Sequence, residues 1–206
     1  MPVSVYTVDI LSAKDLRDVF GRHKVDTVIH CAGHLLPLKA MAEQDGDELW
    51  GTVEVNLRGT LNVALAFVSS LSSSNREGTL IGLNSAGVFM PPFPGVGAYL
   101  SSKLAGVKIL DCLAAESGGR LRVTHVHPGA IKTTMADEFE RAGIVFPYDD
   151  IELPADFLVW VGSKAADWLA GRYVFANWDA EELVARKGEV EGGRGLTVGL
   201  RGVEGV

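Results

Sequence analysis

The chain has 206 residues, 47% of them hydrophobic and 22% charged, an ordinary globular composition of a length that favours one domain with a real core. A formal charge of −7 without any basic cluster argues against a nucleic-acid partner, because neutralising phosphates needs grouped Lys and Arg. No apolar run is long enough to span a membrane, and MPVSVYTVDI lacks the basic-then-apolar order of a signal peptide, so a cytoplasmic protein with no membrane partner is expected.

Strand-like and helix-like segments alternate. VSVYTVDI (3–10) reads as a buried strand rich in β-branched residues. Ser12 caps a helix that has Asp15 in its first turn and Leu16, Val19 and Phe20 on one face. VDTVIHCAG (25–33) is a strand running into a glycine turn, and a long helix follows from about Asp47 to Leu71. GTLIGLNSAG (78–87) is the next strand, MPPFPGVG (90–97) a loop, and Ala98 to about Glu116 a helix with one apolar stripe. LRVTHVHPG (121–129) is a strand ending in a Pro-Gly turn. Residues 130–152 form a loop with a short helix, and a helix begins near Pro154 and runs to Leu169. RYVFANW (172–178) is the last strand, and Asp179 with Glu182 caps a short charged helix. Residues 190–206 read as a flexible Gly-rich tail. The cysteines, Cys31 and Cys112, make no disulfide framework, and no Cys/His cluster has metal-ligand spacing.

This alternation implies a parallel sheet covered on both faces, with ligands beyond the C-terminal ends of the strands. Asp9, Cys31-Ala32-Gly33, Ser85 and His127-Pro128-Gly129 all fall at such ends. Tyr99 and Lys103, at i and i+4, share a helix face. A phenol ionises near pH 10, and an ammonium beside it lowers that value, so the pair suits proton transfer; by itself it also reads as a surface Tyr and an exposed Lys. Ser85 ends the preceding strand, which brings its hydroxyl near the phenol. Asn56 sits mid-helix, where asparagine is a poor helix former, and its amide is placed to hold a water or bend the helix.

VDI (8–10), VIHCAG (28–33), EVNLRGT (54–60), IGLNSAG (81–87), AYLSSK (98–103) and VHPGAIKT (126–133) occur in an order that resembles the short-chain dehydrogenase/reductases, in their short single-domain branch. The resemblance implies hydride transfer between a nicotinamide cofactor and a small-molecule carbonyl/alcohol pair. Tyr99 would be the general acid or base, and Lys103 would lower its pKa and bind the nicotinamide ribose. Ser85 would bind the substrate oxygen, and Asn56 would hold a proton-relay water. Asp9 would touch adenine, and Cys31, Ala32 and Gly33 would pass the adenosine ribose. Pro128 and Gly129 would flank the nicotinamide, with the Ile131 backbone on its carboxamide and the Thr133 hydroxyl on a phosphate. The cofactor would be NAD or NADP, with family habit leaning to NADP. A homo-oligomer through the helices carrying Asn56 and Tyr99 is also implied.

The chain departs from the family in three ways. Cys31 stands where asparagine is usual, the loop 86–98 is slightly long, and the first two strands with their glycine-rich turn have no counterpart. GRGLTVG (193–199) has a similar spelling but neither the preceding strand nor the following helix that a phosphate turn needs. The expected fold is thus a Rossmann-like α/β parallel sheet truncated at its N-terminus, with residues 1–206 a single partial NAD(P)-binding domain of impaired activity. Without those two strands, 3–10 and 25–30 face a gap of roughly 14 Å, so either the first strand slides onto the second or both edges stay bare. A non-catalytic binding or partner protein is the alternative. A sugar-nucleotide epimerase, which shares the Tyr/Lys pair, is disfavoured by the short chain after Gly129. Phe89, Met90, Phe93, Met135, Phe139 and Phe146 suit either an apolar substrate pocket or core packing.

Overall fold

A computed structural model describes residues 3–199. Four parallel strands, β1 (Thr27–His30), β2 (Gly78–Leu83), β3 (Leu121–His127) and β4 (Tyr173–Phe175), pair in the order β1-β2-β3-β4. α1 (Ala13–Arg22) precedes them. The connections carry α2 (Gly46–Val53) and α3 (Gly59–Ser73), then α4 (Gly97–Glu116), then α5 (Thr134–Arg141) and α6 (Glu152–Gly162). α7 (Ala180–Ala185) and α8 (Lys187–Glu191) follow β4. This is the Rossmann-like α/β sheet that the alternation predicts.

The period-two pleat of β2 divides the core between two layers. Leu80 packs with Phe67 and Leu71 of α3, Leu110 of α4 and Val123 of β3. Its neighbour Ile81 joins the other cluster, with Phe157, Leu158 and Val161 of α6. Burying each such side chain is worth about 1.5–3 kcal/mol, so helices on both faces hold the sheet.

Residues 3–10 form no strand, which corrects the expectation. Val3 and Val5 are 88% and 89% exposed, and among the described residues β1 pairs with β2 alone. A strand needs a neighbour for its backbone groups, and none stands there. Only Val8 and Ile10 find a core, against Leu16, Val63 and Ala66. Gly59 makes room for Ile10, since a Cβ there would lie 2.4 Å from Ile10 Cδ1. Asp9 therefore ends no strand. It stands in the turn before α1, its carboxylate accepting the Leu11 N–H at 2.8 Å.

Ser12 caps α1 as its sequence suggests, Oγ accepting the Asp15 N–H at 3.3 Å. The helix expected over 47–71 is a continuous run over 46–73, interrupted by one π turn at Glu54–Arg58. The run expected to reach Leu169 breaks after Gly162 and resumes as a 3-10 turn over Lys164–Leu169. In the Gly-rich tail, the Gly193 and Gly195 carbonyls accept from Arg172 at 3.0 and 2.7 Å, and the Leu196 carbonyl from the Tyr173 N–H at 2.7 Å. Residues 200–206 of that tail lie outside the described residues. No described helix is long and apolar enough to cross a membrane.

Candidate active site

The π turn exists around Asn56. At its C-terminal flank the Thr60 hydroxyl donates back to the Asn56 carbonyl at 2.6 Å. The Asn56 side chain, 2% exposed, then clamps the loop after β1. Its Oδ1 accepts the His34 N–H at 2.7 Å, and its Nδ2 donates to the His34 carbonyl at 2.8 Å and to Ser102 Oγ at 3.1 Å. One amide thus ties β1's end to α4. Asn56→Ala leaves both His34 backbone groups unpaired and is expected to lower the unfolding free energy by about 2–3 kcal/mol in a urea titration. A loss under about 0.5 kcal/mol would mean that the clamp contributes nothing.

Ser85 follows β2 and caps a 3-10 turn over Ala86–Phe89, its Oγ accepting the Gly87 N–H at 3.2 Å. That orientation leaves the hydroxyl proton free, and the hydroxyl lies near enough to the Tyr99 phenol to favour its ionised form. The slightly long loop 86–98 has not displaced the serine. Tyr99 is only 8% exposed. Burial pushes its pKa up to about 12, against which the Ser85 hydroxyl pulls it down. This reverses the expectation that Lys103 lowers it. The Lys103 ammonium lies over the tyrosine ring, 5.7 Å from its centroid, and donates instead to the Leu83 carbonyl at 3.0 Å. Desolvation of the phenolate therefore dominates. Lys103 is itself buried, which brings its pKa down to about 8, opposed by the nearby Cys31.

Behind Lys103 lies a chamber of about 10 Å³, lined by His30, Asn56, Thr60, Asn84, Ser102 and His125, with room for one water. Thr60 gives its proton to the Asn56 carbonyl, so it accepts from His30 Nε2 at 2.9 Å, which assigns the His30 tautomer. Burial, with Lys103 adding, lowers the His30 pKa to about 4 and keeps it neutral at pH 7. On the far side, His125 Nε2 donates to Asp111 at 2.8 Å.

The remaining predicted residues divide. Cys31, Ala32 and Gly33 are exposed at β1's C-terminal end. A Cβ on Gly33 would lie 3.4 Å from Lys103 Nζ, so this strand end adjoins the ammonium. Pro128 and Gly129 follow β3. Gly129 has φ +90°, and a Cβ there would strike Asp149, whose carboxylate accepts the Ala130 N–H at 3.0 Å. Ile131 is half-buried, and Thr133 is exposed at the start of α5 without a side-chain cap bond. Among the described residues, Asp9, Ile131 and Thr133 make no hydrogen bond, ion pair or ring contact with Ser85, Tyr99 or Lys103.

Sequence reading missed His34 and Ser102, and it placed His127 at a strand end without giving it a role. The His127 Nδ1 accepts the Ala86 N–H at 3.2 Å and so fixes the Ser85 turn. The partners of His34 and His127 include backbone groups, which no residue pattern advertises. A nicotinamide-ribose group fits the part that is present: a buried ammonium beside an exposed, glycine-lined strand end. A pyrophosphate does not, because the described residues hold no strand–glycine turn–helix unit for it.

A family model described as short chain dehydrogenase matches residues 2–143. Short chain dehydrogenase mpl6 of Monascus purpureus is 34% identical over 201 residues, covering 94% of this chain and 68% of its own length. Short chain dehydrogenase andI of Emericella variicolor is 31% identical over 193 residues, covering 93% of this chain and 65% of its own length. A short chain dehydrogenase/reductase of Claviceps purpurea is 34% identical, with 91% and 63% covered. The chain spans about two thirds of the length of these relatives.

Proposed function

Because the chain belongs to the short-chain dehydrogenase/reductase family, whose members are oxidoreductases, we propose that it transfers a hydride between NAD or NADP and a small-molecule carbonyl/alcohol pair, with Tyr99 moving the proton. The observation that carries this reading is the burial of Tyr99 on α4 with the Lys103 ammonium 5.7 Å from its ring centroid, at the side of the turn that Ser85 caps. The nicotinamide, when bound, supplies or takes up the hydride; the proton is the protein's part.

In the reducing direction the carbonyl oxygen gains alkoxide character. Ser85 donates its free hydroxyl proton to that oxygen, and Tyr99 protonates it. A phenol near 12 is a weak acid, yet an alkoxide is as basic as hydroxide, whose conjugate acid ionises near ~15.7, so the transfer runs downhill. The phenolate left behind lies next to the Lys103 ammonium, mostly charged at pH 7 with its pKa at about 8. Asn56 holds the strand end beside Lys103, and the chamber behind takes the relay water. Cys31, Ala32, Gly33, Pro128, Gly129, Ile131 and Thr133 are the residues proposed to line the cofactor, with Lys103 on the ribose. The adenine role of Asp9 is weakened by its place in a turn.

These residues offer the adenosine half little, so their dinucleotide affinity should be low. In a titration followed by reduced-nicotinamide fluorescence, the mononucleotide and the dinucleotide are expected to saturate within about tenfold of one another. No saturation by either, in a folded sample, would overturn the cofactor assignment.

A further inference from the structure

β4 carries two chemistries on its two faces. Val174, and Ala176 just past the strand's end, belong to the core cluster under α6. Tyr173 and Phe175, which alternate with them, join a row of rings instead. Phe89 meets Tyr173 edge-on at 4.7 Å between centroids, and Tyr173 meets Phe175 at 5.8 Å. Phe175 then meets His127 edge-on at 5.1 Å and stacks on Trp178 at 4.7 Å, their planes 14° apart.

This row begins at the candidate catalytic group. Phe89 ends the turn that Ser85 caps, and His127 holds the Ala86 N–H of the same turn. Tyr173 stands close enough to Tyr99 that the two phenols, together with burial, raise its pKa, and its hydroxyl has no hydrogen-bond partner. The row also lies at the C-terminal ends of β3 and β4, where parallel sheets collect their ligands. Both of its ends are open: Phe89 is 49% exposed and Trp178 37%.

We propose that this row is a substrate shelf for planar aromatic carbonyl compounds and their alcohols, the ring system lying against Phe89 and Trp178 with its oxygen reaching Ser85 and Tyr99. The turnover of such a compound rests on the oxidoreductase reading above; its binding does not. Rings stack in offset or edge geometry, which a saturated ring of equal size cannot match, so the shelf distinguishes ligands by planarity.

The test uses the chain without cofactor and two probes, 2-acetylnaphthalene and its fully saturated decalin analogue. Binding is measured by isothermal titration calorimetry, and the Trp178 indole N–H signal in NMR, assigned with Trp178→Phe, places the ligand in the parent chain. The aromatic ketone is expected to shift that signal saturably and to bind about tenfold more tightly than the saturated one. Phe89→Ala and Trp178→Ala should each weaken it several-fold, whereas Trp50→Ala, at an exposed position on α2, should leave it unchanged. Phe89 and Trp178 are both exposed, and thermal melts check that the variants fold. Equal affinity for the two ketones, or unchanged affinity in both shelf variants, would overturn the proposal. Selective aromatic binding without turnover in the cofactor-saturated protein would support the shelf and count against the oxidoreductase reading. Turnover of both ketones without preference would do the reverse.

Discussion

Tyr99→Phe is expected to lower carbonyl reduction at least ~100-fold while leaving the fold intact. The variant removes one hydroxyl and nothing else. The ring keeps its buried place on α4 under the Lys103 ammonium, so the packing survives. What is lost is the proton that neutralises the alkoxide, together with the Ser85 contact. Without a donor the oxygen must draw a proton from water, which a buried site excludes. Stability should change by less than about 1 kcal/mol, because the hydroxyl's single described partner, Ser85, keeps its Gly87 bond. Turnover assays beside urea melts separate the two effects. Turnover near the parent level would remove Tyr99 from the reaction.

Lys103→Met is expected to do two opposite things, abolishing turnover while stabilising the fold. Lys103 is 9% exposed, and burial lowers its pKa from 10.5 to about 8. At pH 7 the folded protein therefore still holds a charge that its surroundings disfavour. Methionine fills much the same volume without the charge. The lost bond to the Leu83 carbonyl, worth about 0.5–1.5 kcal/mol, offsets part of the gain. A net stabilisation of about 1–2 kcal/mol at pH 7 remains. The pH dependence has a definite sign. Between pH 8 and 10.5 the unfolded lysine holds more proton than the folded one, so parent stability rises with pH across that window. The methionine variant lacks that slope, and its advantage shrinks as pH increases. Destabilisation by more than about 2 kcal/mol at pH 7 would show that the ammonium's bonds outweigh its burial.

The sheet was legible because its code is local. β2 and β3 are apolar, β-branched runs bounded by turns, and Ser12 and Asp179 announce their helices by capping, with Asp179 accepting the Glu181 and Glu182 N–H groups at 2.8 and 3.0 Å. VSVYTVDI carries the same local code and still forms no strand, because strand formation depends on a partner as much as on β-branched residues. Asp9 lost its expected place for the same reason. The helical spacing of Tyr99 and Lys103 told which face they share. It could not tell that desolvation would outweigh the ammonium's effect on the phenol, since burial is a property of the whole fold. The π turn was half legible: an asparagine amid helix formers marked the spot, while its clamp on the His34 backbone was invisible. The aromatic row was hidden too. Phe89 and Trp178 lie far apart in sequence and meet only through β4.

The most direct test follows a label. Reduced cofactor carrying deuterium at the transferred position of the nicotinamide is incubated with the protein and 2-acetylnaphthalene, and the alcohol is weighed by mass spectrometry. One deuterium on the carbinol carbon with the parent chain, and at least ~100-fold less of it with Tyr99→Phe, is the predicted result. No labelled alcohol from a folded, cofactor-saturated sample, or equal labelling by the two proteins, would contradict it.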